Sequence, residues 1–91
     1  MSYSNQAALI TGASSGVGAA VAIKLAKLGI NVAVNYNSSQ TGAEAVVDRV
    51  IHEGAQAIAL QGDVSQEKDC RRMVSETIEK FGRLDLLINN A

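Results

Sequence analysis

Short apolar runs alternate with longer segments of helical spacing along this chain. Residues 7–11 form an apolar run without alternation, which is typical of a strand buried on both faces, and residues 57–60 form another buried run. Residues 30–36 contain the strand between them, with Val32, Ala33 and Val34 at its centre. A fourth apolar run covers residues 84–88. Because each of the first three runs is followed by a segment long enough for a helix, the pattern predicts the order β-α-β-α-β-α-β.

The intervening segments carry apolar residues three and four positions apart, as amphipathic helices do. The first predicted helix spans residues 16–28. The second opens at a capping box over residues 41–44 and ends near Gly54. The third follows a Ser65 cap and ends at Gly82. The predicted buried positions are Val17, Val21, Leu25 and Leu28, then Val46, Val47, Val50 and Ile51, then Cys70, Met73, Val74, Ile78 and Phe81.

Strands that alternate with helices in this way indicate a parallel sheet with helices on both faces. Right-handed crossovers place the first two helices on one face and the third on the other. The expected fold is therefore α/β, the first half of a Rossmann-type doubly wound parallel sheet with strand order 3-2-1-4.

The first strand runs directly into a glycine-rich turn, TGASSGVG at residues 11–18. Gly12 allows a sharp turn off the strand, Gly16 lets the backbone approach a pyrophosphate, and Gly18 allows tight packing of helix on sheet. The N–H groups of the first helical turn and the positive end of the helix dipole then form an anion site. A tight turn without any ligand is the alternative.

Polar residues follow the next two strands, at the edge where such folds bind ligands. Asn35 ends the second strand, where an NAD site usually carries Asp or Glu for the ribose 2′-hydroxyl. The absence of a carboxylate favours NADP over NAD, although residues 35–39 offer no Arg or Lys to a 2′-phosphate. Asp63, after the third strand, is a candidate acceptor for an adenine amino group, or else a residue that only leads into the next helix.

Composition and charge limit the range of possible folds and ligands further. The 91 residues are 47% apolar and 3% aromatic, which suits one small domain with an aliphatic core. A net charge of −1 argues against nucleic acid or a membrane surface as the main partner. All nine acidic residues lie beyond position 43, so the glycine turn is in an acid-free region, by chance or to suit an anionic ligand. The single cysteine suggests a cytoplasmic protein, and no cluster predicts a metal site.

Four motifs taken together resemble the classical short-chain dehydrogenase/reductase family. They are TGASSGVG at 11–18, GDV at 62–64, FGRLD at 81–85 and NNA at 89–91, and they span essentially the whole chain. VNY at 34–36 is similar to the glucose 1-dehydrogenase and 3-oxoacyl-carrier-protein reductase branches. The resemblance implies hydride transfer between a nicotinamide cofactor, NADP or NAD, and a carbonyl or alcohol substrate of sugar or oxoacyl type.

The resemblance also implies which residues contact the dinucleotide. The pyrophosphate and its ribose would meet Thr11, Gly12, Ser14, Ser15, Gly16, Val17 and Gly18. The remaining contacts would be Asn35, Tyr36, Asn37 and Ser38 at the adenosine ribose, Asp63 and Val64 at the adenine, and Asn89, Asn90 and Ala91 near the nicotinamide.

The catalytic Ser and Tyr-x-x-x-Lys of that family have no counterpart in this sequence. The residues four positions after Tyr3 and Tyr36 are Ala7 and Gln40, so no catalytic residue is expected within the chain. Residues 1–91 are interpreted as the N-terminal part of a single NAD(P)-binding domain whose catalytic half is absent, and the chain alone is expected to be inactive. The alternative is a non-catalytic dinucleotide-binding module that is complete at this length.

Two further points concern a rival fold and the oligomeric state. A flavodoxin-like domain that binds FMN would share the alternation of strands and helices but would not explain the NNA motif. A homo-oligomer is expected, and the open edge of the fourth strand would let the isolated chain associate with itself.

Overall fold

The computed structural model describes residues 5–90. The elements in chain order are β1 (Ala7–Ile10), α1 (Gly16–Lys27), β2 (Asn31–Tyr36), α2 (Gln40–His52), β3 (Ala57–Gln61), α3 (Glu67–Phe81) and β4 (Leu86–Ile88). The strands form one parallel sheet in the order β3-β2-β1-β4. The predicted α/β class and strand order are therefore confirmed.

The core lies on both faces of this sheet. Because successive side chains of a strand point to opposite faces, Ile10 faces α1 and α2 while its neighbour Leu9 faces α3. The α1/α2 face buries an aliphatic cluster that includes Val32, Val34 and Val50. The α3 face buries the smaller cluster of Leu9, Ala33, Leu60 and Met73. This arrangement is the one that right-handed crossovers require.

Helix α1 buries small residues most deeply, while Val21 and Leu25 of the predicted stripe are partly buried against the core. Gly18, Ala22 and Ala26, four positions apart, are the buried positions of α1. Val17 and Leu28 were expected on the buried stripe, but they are 71% and 51% exposed. Small side chains allow the helix to lie close to the sheet, which turns the larger residues to the sides of the contact.

The other two helices differ from the prediction at one position each. Ile51 of α2 and Ile78 of α3 are exposed, and the buried faces use Ala43 and Thr77 instead. Thr77 can be buried because its hydroxyl donates a hydrogen bond to the carbonyl of Met73, at 2.7 Å.

Both predicted N-terminal helix caps were wrong. Helix α2 begins one residue before Thr41, after Ser39, and α3 follows Gln66 rather than Ser65, with no side-chain cap at either start. Gly82, in contrast, adopts a left-handed conformation with a φ of +83° and ends α3 as predicted.

Strand β4 is shorter than the predicted run over residues 84–88. Before the strand, Asp85 is fixed to β1: its N–H donates to the carbonyl of Ala7, and its carboxylate accepts from the Ala7 N–H, both at 2.9 Å. Leu86 and Leu87 of β4 are 37% and 60% exposed. No helix within residues 5–90 has the length and apolarity that crossing a membrane requires.

Candidate functional site

The glycine turn between β1 and α1 has a backbone that only glycine adopts without strain. Gly12 and Gly16 have φ values of +60° and +61°. Ser15 is extended and precedes α1, whose first turn contains no acidic residue. Since the first N–H groups of a helix have no acceptor within the helix, the start of α1 presents donors to a ligand at this edge of the sheet.

Asn35 is buried beneath this turn, with only 2% of its surface exposed. Its Oδ1 accepts a hydrogen bond from the Gly12 N–H at 3.0 Å, and its Nδ2 donates to the carbonyls of Leu60 and Gly62 at 3.2 and 3.1 Å. The side chain therefore points into the protein, which differs from the expectation that it borders the adenosine ribose. The period of two along a strand explains this orientation, because Asn35 shares the α3 face with Ala33.

The end of β2 and the residues after it lead from the sheet into α2. Tyr36 is half-buried against the α1/α2 cluster, and its carbonyl accepts from the Gly62 N–H at 2.9 Å. Asn37 and Ser38 are exposed. The start of α2 packs closely against the glycine turn: a Cβ on Gly42 would lie only 2.7 Å from the Ser14 carbonyl oxygen. The predicted contacts of residues 36–38 with a ribose remain predictions.

Asp63 follows β3 and is held in place by its own loop. Its Oδ1 accepts from the Ser65 hydroxyl at 2.7 Å and from the Ser65 N–H at 2.9 Å. The hydrogen bond from the Ser65 hydroxyl, with that from the N–H, lowers the pKa of Asp63 below its ordinary value. The Asp63 N–H donates to a carboxylate oxygen of Asp69 at 2.9 Å. An ionised, oriented carboxylate results, with the exposed Val64 beside it.

The end of β4 braces the glycine turn from the other side. The Asn90 N–H donates to the hydroxyl of the buried Thr11 at 2.9 Å, and that hydroxyl lies 3.1 Å from Asn89 Oδ1. Asn90 Nδ2 donates to the Gly12 carbonyl at 3.2 Å. A Cβ on Gly18 would lie 2.7 Å from the backbone carbonyl oxygen of Gly12, so the close approach of α1 to the turn needs glycine. The predicted contact at Ala91 lies outside the described residues.

The predicted site residues thus meet at the carboxyl edge of the sheet, where parallel folds bind ligands. Gly12 contacts both Asn35 and Asn90, and Asn35 continues the connection to the segment before Asp63. Sequence reasoning missed Ser65, Asp69 and Met73 as supporting residues. Only the strand period at Asn35 could have indicated the contact with Met73. Within residues 5–90, no three His, Cys, Asp or Glu side chains are grouped to hold a metal ion.

An apolar cleft of about 130 Å³ lies between α3 and β4. Its lining consists of Leu9, Thr11, Val64, Cys70, Met73, Val74, Leu87 and Asn89. The cleft therefore begins at Thr11 and Asn89, at the carboxyl edge of the sheet, and continues between the sheet and α3.

The residues that match a known protein family include the glycine turn, the Asp63 loop and the Asn89–Asn90 segment. The family described as short chain dehydrogenase matches residues 6–91. This chain belongs to the short chain dehydrogenase family. The match extends over every element of the sheet and both sides of the candidate site, and it confirms the resemblance of the sequence motifs.

Individual short chain dehydrogenase relatives support the same assignment. An uncharacterized oxidoreductase of Methylorubrum extorquens is 52% identical over 84 residues, which cover 92% of this chain and 34% of that protein. The 3-oxoacyl-[acyl-carrier-protein] reductase FabG of Staphylococcus epidermidis is 44% identical over 87 residues, 96% of this chain and 36% of that protein. The chain thus spans about a third of the length of these curated relatives.

A solved structure agrees with the fold of this chain. The crystal structure of a short chain dehydrogenase from Burkholderia cenocepacia in complex with NADP has a TM-score of 0.92 and 44% identity. The alignment covers 96% of this chain and 36% of that one. That relative was crystallised with a dinucleotide, so nucleotide binding is a property of the family to which this chain belongs.

Proposed function

We propose that this chain is the nucleotide-binding part of an NAD(P)-dependent oxidoreductase that moves hydride between the nicotinamide and a carbonyl or alcohol carbon. The observation that carries the proposal is the glycine turn, fixed by Asn35 on one side and Asn90 on the other. A preformed turn of this kind presents α1 donors to a pyrophosphate without a rearrangement. The NADP complex of the Burkholderia relative supports the same ligand class.

The residues at the turn fit the pyrophosphate of a dinucleotide. A Cβ on Gly16 would meet nothing within 4 Å, so open space faces the turn at this position. When bound, the nicotinamide of the cofactor supplies or accepts the hydride. The chain's own residues bind and orient: the turn and α1 hold the pyrophosphate, Asp63 accepts from the adenine amino group, and Asn89 and Asn90 border the nicotinamide ribose.

NADP is the proposed cofactor in preference to NAD. Residues 35–39 contain no carboxylate to repel a 2′-phosphate, and Asn37 and Ser38 offer exposed polar groups. An oxoacyl or sugar substrate is proposed, since one relative is a 3-oxoacyl-[acyl-carrier-protein] reductase. We further propose that the proton-transfer residues are encoded beyond Ala91, in a cytoplasmic homo-oligomer.

Sequencing the gene past the codon for Ala91 tests this division of labour. A downstream Ser and Tyr-x-x-x-Lys would support an oxidoreductase with its catalytic half beyond this chain. A stop codon would instead favour a non-catalytic module that binds the dinucleotide. The oxidoreductase names of the relatives favour the first outcome.

Dinucleotide binding is tested with a matched pair of glycine variants in the full-length protein. Gly16 and Gly54 both have positive φ and open space where an alanine methyl group would lie, but only Gly16 is in the turn. We expect Gly16→Ala to lower the free energy of unfolding by about 1–2 kcal/mol, and Gly54→Ala to lower it by at least as much, because both positions have positive φ. Only Gly16→Ala should weaken NADPH binding, by about tenfold or more in a calorimetric titration. Failure of the unsubstituted protein to bind either NADPH or NADH would refute the proposed function.

A further inference from the structure

Asn35 connects two segments that the proposed function assigns to the cofactor, the glycine turn and the segment before Asp63. Its side chain accepts from Gly12 in the glycine turn and donates to Gly62, directly before Asp63, at 3.0 and 3.1 Å. Its own carbonyl accepts from the Ala13 N–H at 2.9 Å. Each of these contacts joins elements far apart in the sequence, across the end of β2.

A primary amide is the side chain that this position requires. The Gly12 N–H needs an acceptor, whereas the carbonyls of Leu60 and Gly62 need donors, and a neutral amide supplies both on one short side chain. These partners also fix which atom of the amide is the oxygen. A carboxylate would keep the acceptor for Gly12 but would set two carbonyl oxygens against a negative charge in a buried site.

The sheet itself stops short of the segments that Asn35 joins. The parallel pairing of β1 with β2 ends at the pair Ile10–Val34, and that of β2 with β3 ends at the pair Tyr36–Gln61. Beyond these pairs, single backbone hydrogen bonds attach the glycine turn and the Asp63 loop to β2: the Ala13 N–H donates to the Asn35 carbonyl, and the Gly62 N–H donates to the Tyr36 carbonyl, both at 2.9 Å. The Asn35 side chain adds a direct connection between the turn and the loop, because one amide contacts both Gly12 and Gly62.

We propose that Asn35 is a positioning residue that sets the separation between the phosphate-binding turn and the adenine-binding segment. The inference rests on the proposed dinucleotide binding. A ligand that engages both segments at once gains from a fixed separation, whereas a ligand that engages one segment does not. Loss of the amide should therefore weaken the binding of a whole dinucleotide more than the binding of its adenosine part.

The test compares Asn35→Asp and Asn35→Leu with Asn31→Ala in the full-length protein. Asn31 is a matched control at the opposite end of β2, where its Oδ1 accepts from the Gln56 N–H at 2.9 Å. Affinities for NADPH and for adenosine 2′-monophosphate are measured well below each melting temperature. We expect the Asn35 variants to lose about tenfold or more in NADPH affinity and less than about threefold for the mononucleotide. Asn31→Ala should change neither affinity.

Several outcomes would overturn the inference. Equal losses for both ligands, or a loss in Asn31→Ala as large as in the Asn35 variants, would indicate a merely structural role. If the wild-type protein binds neither NADPH nor NADH, the proposed function fails, and the positioning role fails with it.

A measurement on the unsubstituted protein keeps the inference testable if the Asn35 variants do not fold. Amide hydrogen exchange at Gly12 should be slow before any cofactor is added, because the Asn35 side chain already accepts that N–H. Addition of NADPH should slow it by less than about twofold. Fast exchange at Gly12 that becomes slow only with NADPH would show that the ligand, not Asn35, orders the turn.

Discussion

The α1/α2 face of the sheet is covered by two helices and a continuous aliphatic cluster, whereas the hydrophobic cluster on the α3 face has four buried residues and opens into a cleft beside β4. The two residues that support the glycine turn differ in their distance from the edge of the sheet. Asn35 belongs to β2, an interior strand, and Asn90 follows β4, the strand at the edge. The comparison indicates that the glycine turn is hydrogen-bonded to one residue in the buried interior of the sheet and to one residue at its more exposed edge.

The largest test of this contrast is to remove side-chain volume from adjacent residues of β1. Ile10 faces the α1/α2 cluster and Leu9 faces α3, and both are almost fully buried. Truncation to alanine leaves a cavity whose cost depends on how far its walls relax, so we expect Ile10→Ala to lower the free energy of unfolding by about 2–5 kcal/mol. Leu9→Ala should cost about 1 kcal/mol less, because Leu9 already borders the cleft.

Urea denaturation of both variants measures this difference. The slope of the transition must stay the same in the two variants for the midpoints to report stability alone. A cost for Leu9→Ala equal to or above that for Ile10→Ala would mean that the α3 face is as tightly packed as the other.

The sequence pattern predicted the strands, their order and the faces of the helices, because apolar periodicity reflects burial directly. The pattern failed where the close approach of a helix to the sheet determines which side chains are buried. The spacing of apolar residues in α1 does not indicate that Gly18, Ala22 and Ala26 form the closest contact with the sheet, nor that Val17 and Leu28 lie outside this contact. At the candidate site, motifs identified the segments, but the inward orientation of Asn35 depends on contacts with Gly12 and Gly62 that only the fold brings together.

Acid should loosen the β4 side of the sheet first. Hydrogen bonds from Arg83, together with the one from the Ala7 N–H, lower the pKa of Asp85 below its ordinary value of 3.8. A carboxyl group whose pKa is lower in the folded state contributes its stabilisation above the unfolded value, and this is lost as the pH falls through the folded value. The stabilisation from Asp85 should therefore be present above about pH 4 and be lost progressively as the pH falls below that value.

Asp85→Asn isolates this contribution. Melting temperatures of the variant and the wild type should differ near neutral pH and converge as the pH falls below 3.8. Asp48→Asn, at an exposed position of α2, is the control and should change the melting temperature little at any pH. A difference between Asp85→Asn and wild type that persists unchanged to pH 2 would contradict an ionic role for Asp85.

The smallest effect on stability, and the sharpest contrast between the two sides, is expected at exposed leucines. Leu87 on β4 and Leu28 after α1 are 60% and 51% exposed, so Leu87→Lys and Leu28→Lys should each change the free energy of unfolding of the 91-residue chain by less than about 0.5 kcal/mol. Their effects on association should differ, because β4 is the end strand of the described sheet and presents unpaired backbone groups beside an apolar surface. Sedimentation velocity over a range of concentrations should show self-association of the unsubstituted chain that Leu87→Lys reduces and Leu28→Lys does not. A chain that stays monomeric throughout, or equal effects of the two substitutions, would mean that the β4 edge does not attract a second copy.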